Sequence, residues 1–364
     1  MKPTPQHTSM DRFRIDSHKI QYHAARLGDW LAGANVYPIY IETSPSGACN
    51  HRCRFCGKDF MKYQPRFLDW AVFRERLEEM GRLGVKSIMH AGEGEPLLHK
   101  NLADMIQVGK SAGIDQAVNT NGVLFTPEKA EQILPYSEWV RVSLDAASRE
   151  VYAHLHGTRP EDFDKAVSNL AEAVKLRNAA GWRCAVGIQM LLLPENRHEA
   201  KTLAAMARDM GVDYLAIKPY SQHPLGSSRE YEDINYQKDL ALADELKEFN
   251  APGFNVVFRL HAMRKWDNAV RSYDRCQAMA FWTYIDAGGF VWGCCNYLGD
   301  ERFALGNLCE ESFQEVWEGE RRRAFLEWVN ADLDAHQCRV NCRMDEVNRY
   351  LWDLKHPPEH VNFI

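Results

Sequence analysis

Ten cysteines in two groups are the feature that most constrains how this chain of 364 residues can fold. Three lie within one stretch of eight residues, six lie between residues 276 and 342, and one stands alone. They are Cys49, Cys53 and Cys56, then Cys184, then Cys276, Cys294, Cys295, Cys309, Cys338 and Cys342. Disulfide-dense proteins are usually small and secreted, so grouped thiols in a chain of this length favour metal binding or catalysis. The two groups therefore predict two metal sites.

The overall composition is that of an ordinary globular protein. Charged residues make up 26% of the chain, hydrophobic residues 45%, and the formal net charge is -6, so the basic excess of nucleic-acid binders is missing. No apolar run approaches the length of about 18 residues that spans a bilayer, and residues 1–14 are polar rather than signal-like. We expect a cytoplasmic protein whose partners include neither nucleic acid nor a membrane.

From residue 38 onwards, short apolar runs alternate with helix-like stretches, as in parallel strands joined by crossover helices. Strands are predicted at 39–41, 87–90, 116–119, 140–144, 186–193 and 214–217, and helices at 72–83, 102–112, 130–134, 163–177 and 198–210. Six strands are too few for a closed barrel of eight. The sequence thus predicts an α/β fold, a partial (β/α)6 TIM-like barrel with a small C-terminal domain.

Changes in composition divide the chain into four parts. An N-terminal extension covers residues 1–36, the barrel 37–222, a polar bridging segment 223–270 and a cysteine-rich domain 271–364. The bridging segment is predicted to contain a helix over 238–249. In the last domain, Gly288-Gly289 between apolar residues predicts a hairpin, and the apolar spacing over 312–328 predicts a helix.

The first cysteine group has the spacing C-x3-C-x2-C. Three thiolates can bind three corners of a cubane iron-sulfur cluster and leave one iron open, whereas clusters that only carry electrons normally have four cysteine ligands. A zinc site completed by a distant ligand, His51 or His90, is the alternative that the spacing alone leaves open.

Motifs downstream of this loop favour the cluster. Phe55 stands just before the third cysteine, and the sequence Ala91-Gly-Glu-Gly-Glu-Pro-Leu-Leu98 follows the second strand. Similar motifs follow at Asn119-Thr-Asn-Gly122 and Val142-Ser-Leu-Asp145. With these motifs in this order, residues 39–218 resemble the radical S-adenosylmethionine (SAM) superfamily. Glu93 replaces the first glycine of that family's Gly-Gly-Glu-Pro motif.

The resemblance implies that Cys49, Cys53 and Cys56 hold a [4Fe-4S] cluster, which receives electrons from an external flavodoxin-type or ferredoxin-type donor. SAM would chelate the open iron and be cleaved to a 5'-deoxyadenosyl radical that abstracts hydrogen from the substrate. The residues implied to bind this cofactor are Phe55, Gly92, Glu93, Gly94, Glu95, Asn121, Ser143 and Lys218.

The second cysteine group resembles the C-terminal SPASM and twitch domains of radical SAM enzymes, in which a cysteine is followed by a glycine and then a second cysteine. The resemblance implies an auxiliary [4Fe-4S] cluster with four ligands, namely Cys276, Cys294, Cys338 and Cys342. A zinc site is the competing assignment. Cys295 is a candidate catalytic residue that offers its S–H to a substrate radical, or is itself the ligand in place of Cys294. Cys309 is expected to have no chemical role.

A single auxiliary cluster resembles the radical dehydrogenases and epimerases that act on aminoglycosides and cyclitols. The implied substrate is a small polar molecule such as a sugar, an aminoglycoside or a cyclitol, which loses hydrogen from a carbinol C–H. Transfer of an electron to the auxiliary cluster would give dehydrogenation, and hydrogen returned by a thiol would give epimerisation. A peptide-modifying maturase is the alternative, disfavoured because residues 1–36 are too few for a leader-binding module. A non-enzymatic iron-sulfur protein is a third hypothesis.

Overall fold

The computed structural model describes residue 11 and residues 13–363, so the predicted N-terminal extension lies partly outside the described residues. The described chain folds around a ten-stranded sheet in the order β10-β9-β8-β1-β2-β3-β4-β5-β6-β7. The strands are β1 Tyr40–Thr43, β2 Ser87–His90, β3 Asp115–Thr120, β4 Trp139–Ser143, β5 Ala185–Leu192, β6 Tyr214–Pro219, β7 Asn255–Phe258, β8 Trp282–Ile285, β9 Phe290–Trp292 and β10 Ala304–Asn307. The predicted α/β fold is confirmed.

Helices join the parallel strands and cover one face of the sheet. They are α1 Ala24–Leu31, α2 Trp70–Arg82, α3 Leu102–Ser111, α4 Pro127–Ile133, α5 Arg149–His156, α6 Glu161–Ala180, α7 Ala200–Met210, α8 Leu242–Leu246, α9 Leu260–Asp267, α10 Phe313–Glu318, α11 Glu320–Ala331 and α12 Asp345–Lys355. Local signals set their ends: Ser148 caps α5 by accepting a hydrogen bond from the Val151 amide, and Gly157 ends it in the left-handed conformation, which glycine adopts without steric cost.

The sheet is larger than the six predicted strands. All pairings from β8 through β1 to β7 are parallel, so eight strands run in the same direction within the described residues. β7 belongs to the segment predicted as a bridge, and β8 to the C-terminal domain. The C-terminal domain therefore extends the barrel at the β1 edge instead of standing beside it.

The predicted hairpin is present, with Gly289 at φ 84° between the antiparallel strands β8 and β9. The single helix predicted over 312–328 is instead two helices that meet at Gly319. One apolar core lies between β3–β7 and their helices. A second core joins Ile41 and Phe73 of the barrel to Trp317 of the C-terminal domain, so the two parts are packed as one body.

The face of the sheet opposite the helices is called the inner face below. In β4, Val140 and Val142 are fully buried in the core against the helices, so Trp139, Arg141 and Ser143 point to the inner face. Gly187 is paired with Arg141 on the next strand, and a Cβ there would lie 2.2 Å from the ring of Tyr214. The glycine therefore makes room for an aromatic ring at the inner face.

Candidate functional site

The three cysteines of the first group lie on the loop that follows β1. The backbone amides of Arg52 and Arg54 donate to carbonyls at the end of α5, each at 3.0 Å, and Cys56 N donates to Cys53 O at 3.1 Å. Burial raises the pKa of Cys49 to about 12, and burial together with the neighbouring thiols raises the pKa of Cys53 well above its usual value. The loop therefore gathers three thiols in a site poor in water.

Each of these thiols has a polar neighbour that suits a cluster ligand. The His51 amide donates to Cys49 Sγ at 3.5 Å, and the Lys58 amide donates to Cys56 Sγ at 3.4 Å. His156 Nδ1 lies 3.5 Å from Cys53 Sγ. Hydrogen bonds to cysteine sulfur are one of the means by which proteins set the potential of iron-sulfur clusters. The three cysteine thiols and their polar neighbours fit an iron-sulfur cluster that the protein binds at three corners.

His156 was not predicted from the sequence. Its ring is buried, its Nε2 lies 3.3 Å from Asp145 Oδ2, and Asp145 in turn accepts from the Leu191 amide at 2.5 Å. The side chain of Asp145, which follows β4, thus orients the last residue of α5, a histidine that contacts Cys53. His156 is far from the cysteines in sequence, so no local motif predicts its contact with Cys53. Only the fold reveals this contact.

The two histidines weighed as zinc ligands have different positions. His90 is buried between Thr43 Oγ1 at 3.0 Å and Gln116 Oε1 at 2.9 Å, so both of its nitrogens have hydrogen-bond partners. His51 lies close to Cys53, and its ligand atom lies within 4.8 Å of those of Cys53 and His156. Burial lowers the pKa of His51 to about 3. His90 therefore takes no part in the cysteine site, whereas His51 borders it as a neutral ring.

The loop after β2 fits tightly against the cysteine loop. A Cβ on Gly94 would lie 2.0 Å from the Ala48 carbonyl oxygen, and one on Gly92 would lie 2.4 Å from Ser44 Cβ. Gly92 also has φ 103°, which favours glycine. The Glu95 amide donates to the Ala48 carbonyl at 2.9 Å. Only glycine permits this approach, which sets the position of the residue before Cys49.

The two glutamates of this loop are buried and hydrogen-bonded. Glu95 accepts from Thr120 Oγ1 at 2.6 Å, from the Asn121 amide at 2.8 Å and from the Leu97 amide at 3.1 Å. Glu93 accepts from Arg66 Nη2 at 2.9 Å. Both carboxylates hold loops together in the described structure.

The other residues implied to bind SAM surround the same edge of the sheet. Asn121 donates from Nδ2 to Asn50 Oδ1 at 2.7 Å, which links the end of β3 to the cysteine loop. Ser143 accepts from Asn119 Nδ2 at 3.4 Å, and the Phe55 ring packs edge-on against His156. Lys218 lies at the carboxyl end of β6. Their roles toward SAM stay a prediction.

The second group of thiols gathers four cysteines near β8 and α12. Asn348 Nδ2 donates to Cys276 Sγ at 3.4 Å, the Asn296 amide donates to Cys294 Sγ at 3.5 Å, and the Tyr297 hydroxyl lies 3.4 Å from Cys338 Sγ. Burial, followed by the charge of Cys276, raises the pKa of Cys342 to about 12. Cys294 is buried and the other three cysteines are partly buried, and the four thiols with their donors fit a second cluster.

Cys295 and Cys309 differ from these four. Cys309 is exposed, and its Sγ lies 3.2 Å from where a Cβ of Gly289 would be. Cys295 is partly buried, as are Cys276, Cys338 and Cys342, but its carbonyl accepts a hydrogen bond from the Lys58 ammonium. Cys295 therefore faces the first cysteine loop, while Cys294 lies in the apolar core.

Comparisons with known proteins agree with this geometry. The family model of the radical SAM superfamily matches residues 43–207, and that of the SPASM iron-sulfur cluster-binding domain matches residues 276–343. The radical SAM domain binds SAM and a [4Fe-4S] cluster, and the SPASM domain binds auxiliary iron-sulfur clusters. The predicted cofactors are confirmed, and iron-sulfur clusters replace the zinc alternatives for both groups of thiols.

Several relatives cover most of the chain. The tungsten-containing aldehyde ferredoxin oxidoreductase cofactor-modifying protein of Pyrococcus furiosus is 24% identical over 78% of this chain and 81% of its own. Mycofactocin maturase MftC of Mycolicibacterium smegmatis is 25% identical over 77% of this chain and 70% of its own. Among solved structures, Streptococcus suis SuiB bound to precursor peptide SuiA has a TM-score of 0.61 at 19% identity and covers 82% of this chain and 69% of its own. The similarity to SuiB shows a shared fold and nothing more.

Proposed function

Because the chain belongs to the radical SAM superfamily and carries a SPASM domain, we propose that it is a maturase that modifies a peptide by abstracting hydrogen from a C–H bond. The similarity to a cofactor-modifying protein and to a maturase, each over more than three quarters of this chain, supports a role as a maturase. The initial expectation of a sugar or cyclitol substrate finds no such support and becomes the second candidate.

The observation that carries the proposal is that both groups of thiols border one space at the inner face. Lys58, two residues after Cys56, contacts the Cys295 carbonyl and lies 5.2 Å from the centre of the Tyr284 ring. Arg343, the neighbour of Cys342, contacts Glu42 and lies 2.5 Å from the Tyr40 hydroxyl of β1. A substrate at the inner face would therefore have radical generation on one side and the auxiliary site on the other.

When bound, the first cluster supplies the electron that cleaves SAM and so generates the 5'-deoxyadenosyl radical that abstracts hydrogen. The residues that would hold it are Cys49, Cys53 and Cys56. Glu95 and Gly94 fix the loop around these cysteines, as described above. The residues that would hold the auxiliary cluster are Cys276, Cys294, Cys338 and Cys342. The protein's part is to place the substrate C–H and to exclude water.

We assign to Cys295 the return of hydrogen to the substrate radical. Its S–H bond would break and a C–H bond would form on the substrate, which leaves a sulfur-centred radical on Cys295. One electron from the external flavodoxin-type or ferredoxin-type donor and one proton from solvent would restore the thiol. The Cys295 thiol donates to Asn296 Oδ1 at 3.8 Å, and the Cys295 carbonyl contacts Lys58 of the first cysteine loop; these two contacts support the role.

The second candidate, a sugar or cyclitol dehydrogenase or epimerase, has one structural observation in its favour. Side chains at the inner face that carry hydrogen-bonding groups include Glu42, Asn119, Arg141 and Ser143, and such a surface suits a small polar molecule. The same surface also suits a polar peptide side chain, so it does not outweigh the relatives.

The test compares the two substrate classes directly. Reconstituted enzyme, SAM and dithionite are incubated in deuterated water with a library of synthetic peptides and, separately, with a panel of aminoglycosides and cyclitols. We expect 5'-deoxyadenosine and a mass change in peptides alone, either a loss of two hydrogens or a gain of one deuterium. Turnover of a polyol and of no peptide would replace the first candidate by the second.

The ten free thiols suit the reducing conditions of the cytoplasm, which we propose as the location. In the part of the chain that the structure describes, no helix is both long enough and apolar enough to cross a membrane.

A further inference from the structure

The ring of His156, the last residue of α5, stands between a cluster ligand and a carboxylate. Its Nδ1 lies 3.5 Å from Cys53 Sγ. On the other side of the ring, Nε2 lies 3.3 Å from Asp145 Oδ2 and 3.4 Å from the Asp145 amide nitrogen. These three residues lie on the loop after β1, on α5 and directly after β4. The ring therefore connects the first cysteine loop to the segment that follows β4.

Packing holds this ring in place. His156 is 1% exposed, and the ring of Tyr152, one turn earlier in α5, stacks on it with 4.1 Å between the ring centres. The rings of Phe55 and His51 contact it edge-on, at 5.5 and 5.4 Å between centres. The His156 carbonyl accepts from the Arg52 amide at 3.0 Å, so the backbone at the end of α5 is also tied to the cysteine loop. The distance between Nδ1 and the Cys53 sulfur is thus set by contacts on several sides.

The chemistry of the neighbours decides where the ring carries its hydrogen. A cysteine that ligates a metal does so as a thiolate, which accepts hydrogen bonds and has none to donate. A lone pair on Nδ1 would face that sulfur and repel it, so Nδ1 carries a hydrogen. Nε2 then accepts from the Asp145 amide, or carries a second hydrogen and donates to the Asp145 carboxylate. Both arrangements direct an Nδ1–H group at Cys53.

We infer that His156 donates a hydrogen bond from Nδ1 to the Cys53 sulfur and thereby raises the reduction potential of the first cluster, with Asp145 as the positioning residue that orients the ring. The reduced cluster carries one more negative charge than the oxidised one, so a donor at a ligand sulfur stabilises the reduced form more strongly. SAM is cleaved from the reduced form, so the hydrogen bond makes the task of the external electron donor easier. The inference concerns this cluster and does not depend on the class of substrate.

The test measures the midpoint potentials of both clusters in the reconstituted holoenzyme, by redox titration followed with electron paramagnetic resonance. The first cluster is the one whose signal changes when SAM is added. His156→Leu removes the donor and keeps a buried apolar side chain, whereas His156→Asn keeps an N–H group close to the position of Nδ1. His154→Leu is the matched control, because His154 lies on the same helix with its side chain exposed.

We expect His156→Leu to lower the ratio of reduced to oxidised first cluster, at a fixed potential, by about threefold to tenfold. A hydrogen bond to a charged group changes an equilibrium by about tenfold or more, and this one acts on both oxidation states. A tenfold change corresponds to about 59 mV for one electron. His156→Asn should recover most of the wild-type potential, and His154→Leu should match wild type. The auxiliary cluster should keep its potential in every variant.

An unchanged potential of the first cluster in His156→Leu would overturn the inference. Equal shifts in His156→Leu and His156→Asn would do the same, since the ring would then act through packing alone, as would an equal shift of the auxiliary cluster. If iron analysis shows that His156→Leu assembles no first cluster, Asp145→Asn decides: its potential should shift in the same direction by a smaller factor, and an unchanged potential rejects the inference. No substrate is present in these measurements, so they stand or fall separately from the peptide assay.

Discussion

Gly94→Ala tests whether the loop after β2 fixes the position of the first cluster. The new methyl group would lie 2.0 Å from the Ala48 carbonyl oxygen and 2.8 Å from the Ser46 carbonyl oxygen. Both neighbours are backbone atoms, so no side chain can turn away to make room. Since Ala48 precedes Cys49, the relief of this clash has to move a cluster ligand.

The size of the effect follows from the geometry. Ordinary van der Waals contact begins at 3.4 Å, so the two loops must separate by roughly the difference of 1.4 Å. Overpacking of this kind costs about 1–3 kcal/mol. That cost corresponds to a reduction of about 5-fold to 150-fold in the population of the intact loop pair. A misplacement of about 1 Å near reacting groups can also cost on the order of 10²-fold in rate.

The assay measures bound iron and 5'-deoxyadenosine formation after reconstitution, with Cys49→Ala as the reference for a lost first cluster. We expect Gly94→Ala to approach that reference in deoxyadenosine formation, while the iron of the auxiliary site remains. Gly28→Ala is the matched control, because a Cβ on Gly28 meets no atom within 4 Å. Wild-type iron content and activity in Gly94→Ala would refute the reasoning, since the loop would then tolerate the methyl group without moving Cys49.

Three further predictions each concern a single side chain. Glu95→Gln should lower the free energy of unfolding by about 2–4 kcal/mol, because the new amide NH2 faces groups that donate hydrogen bonds to the carboxylate. Urea unfolding measures this change, and the exposed control Glu128→Gln should change the free energy of unfolding little. Burial lowers the pKa of His90 to about 4. Only the unfolded chain then binds this proton between about pH 6.5 and 4, so stability should fall on acidification by about 3 kcal/mol in total, and His90→Gln should flatten the urea-measured pH profile. Cys295→Ala should retain both clusters by iron analysis and lose deuterium incorporation into product; a loss of about four irons per chain would make it a ligand instead.

The strands of the barrel could be predicted because parallel strands buried on both faces are short apolar runs between helices. β2 was predicted at its observed bounds, and β4 within one residue. β7 and β8 could not be predicted in the same way. β7 has only four residues after a polar segment, and the pairing of β8 with β1 joins positions some 240 residues apart, which no local periodicity encodes. The six predicted strands correspond to β1–β6, and the sheet is larger because β7 and β8 extend it at its two edges.

The first cysteine group could be predicted as a site because its three cysteines lie on one short loop, whereas the second group was predicted from its resemblance to SPASM and twitch domains. His156, Arg141 and Lys58 could not be found in this way, since each acts through a contact with a distant segment. Arg141 is recognisable only once the alternation of β4 is combined with the side of the sheet that the helices cover. For Glu93 and Glu95, the motif identified the loop from the sequence. It could not show that hydrogen bonds within the protein already occupy both carboxylates.

The two cluster domains cannot be regarded as separable modules. The loop after Cys56 is held by contacts with residues that lie outside the radical SAM domain. Lys58 contacts the Cys295 carbonyl, and the Asp59 carboxylate accepts hydrogen bonds from the amides of Ser227 and Ser228. β8 pairs with β1, directly before the first cysteine loop, along four residues. Removal of the C-terminal domain would therefore expose the edge of β1 and free one end of the cysteine loop. The first cysteine loop therefore depends on the C-terminal domain for its position, so neither part forms this loop alone.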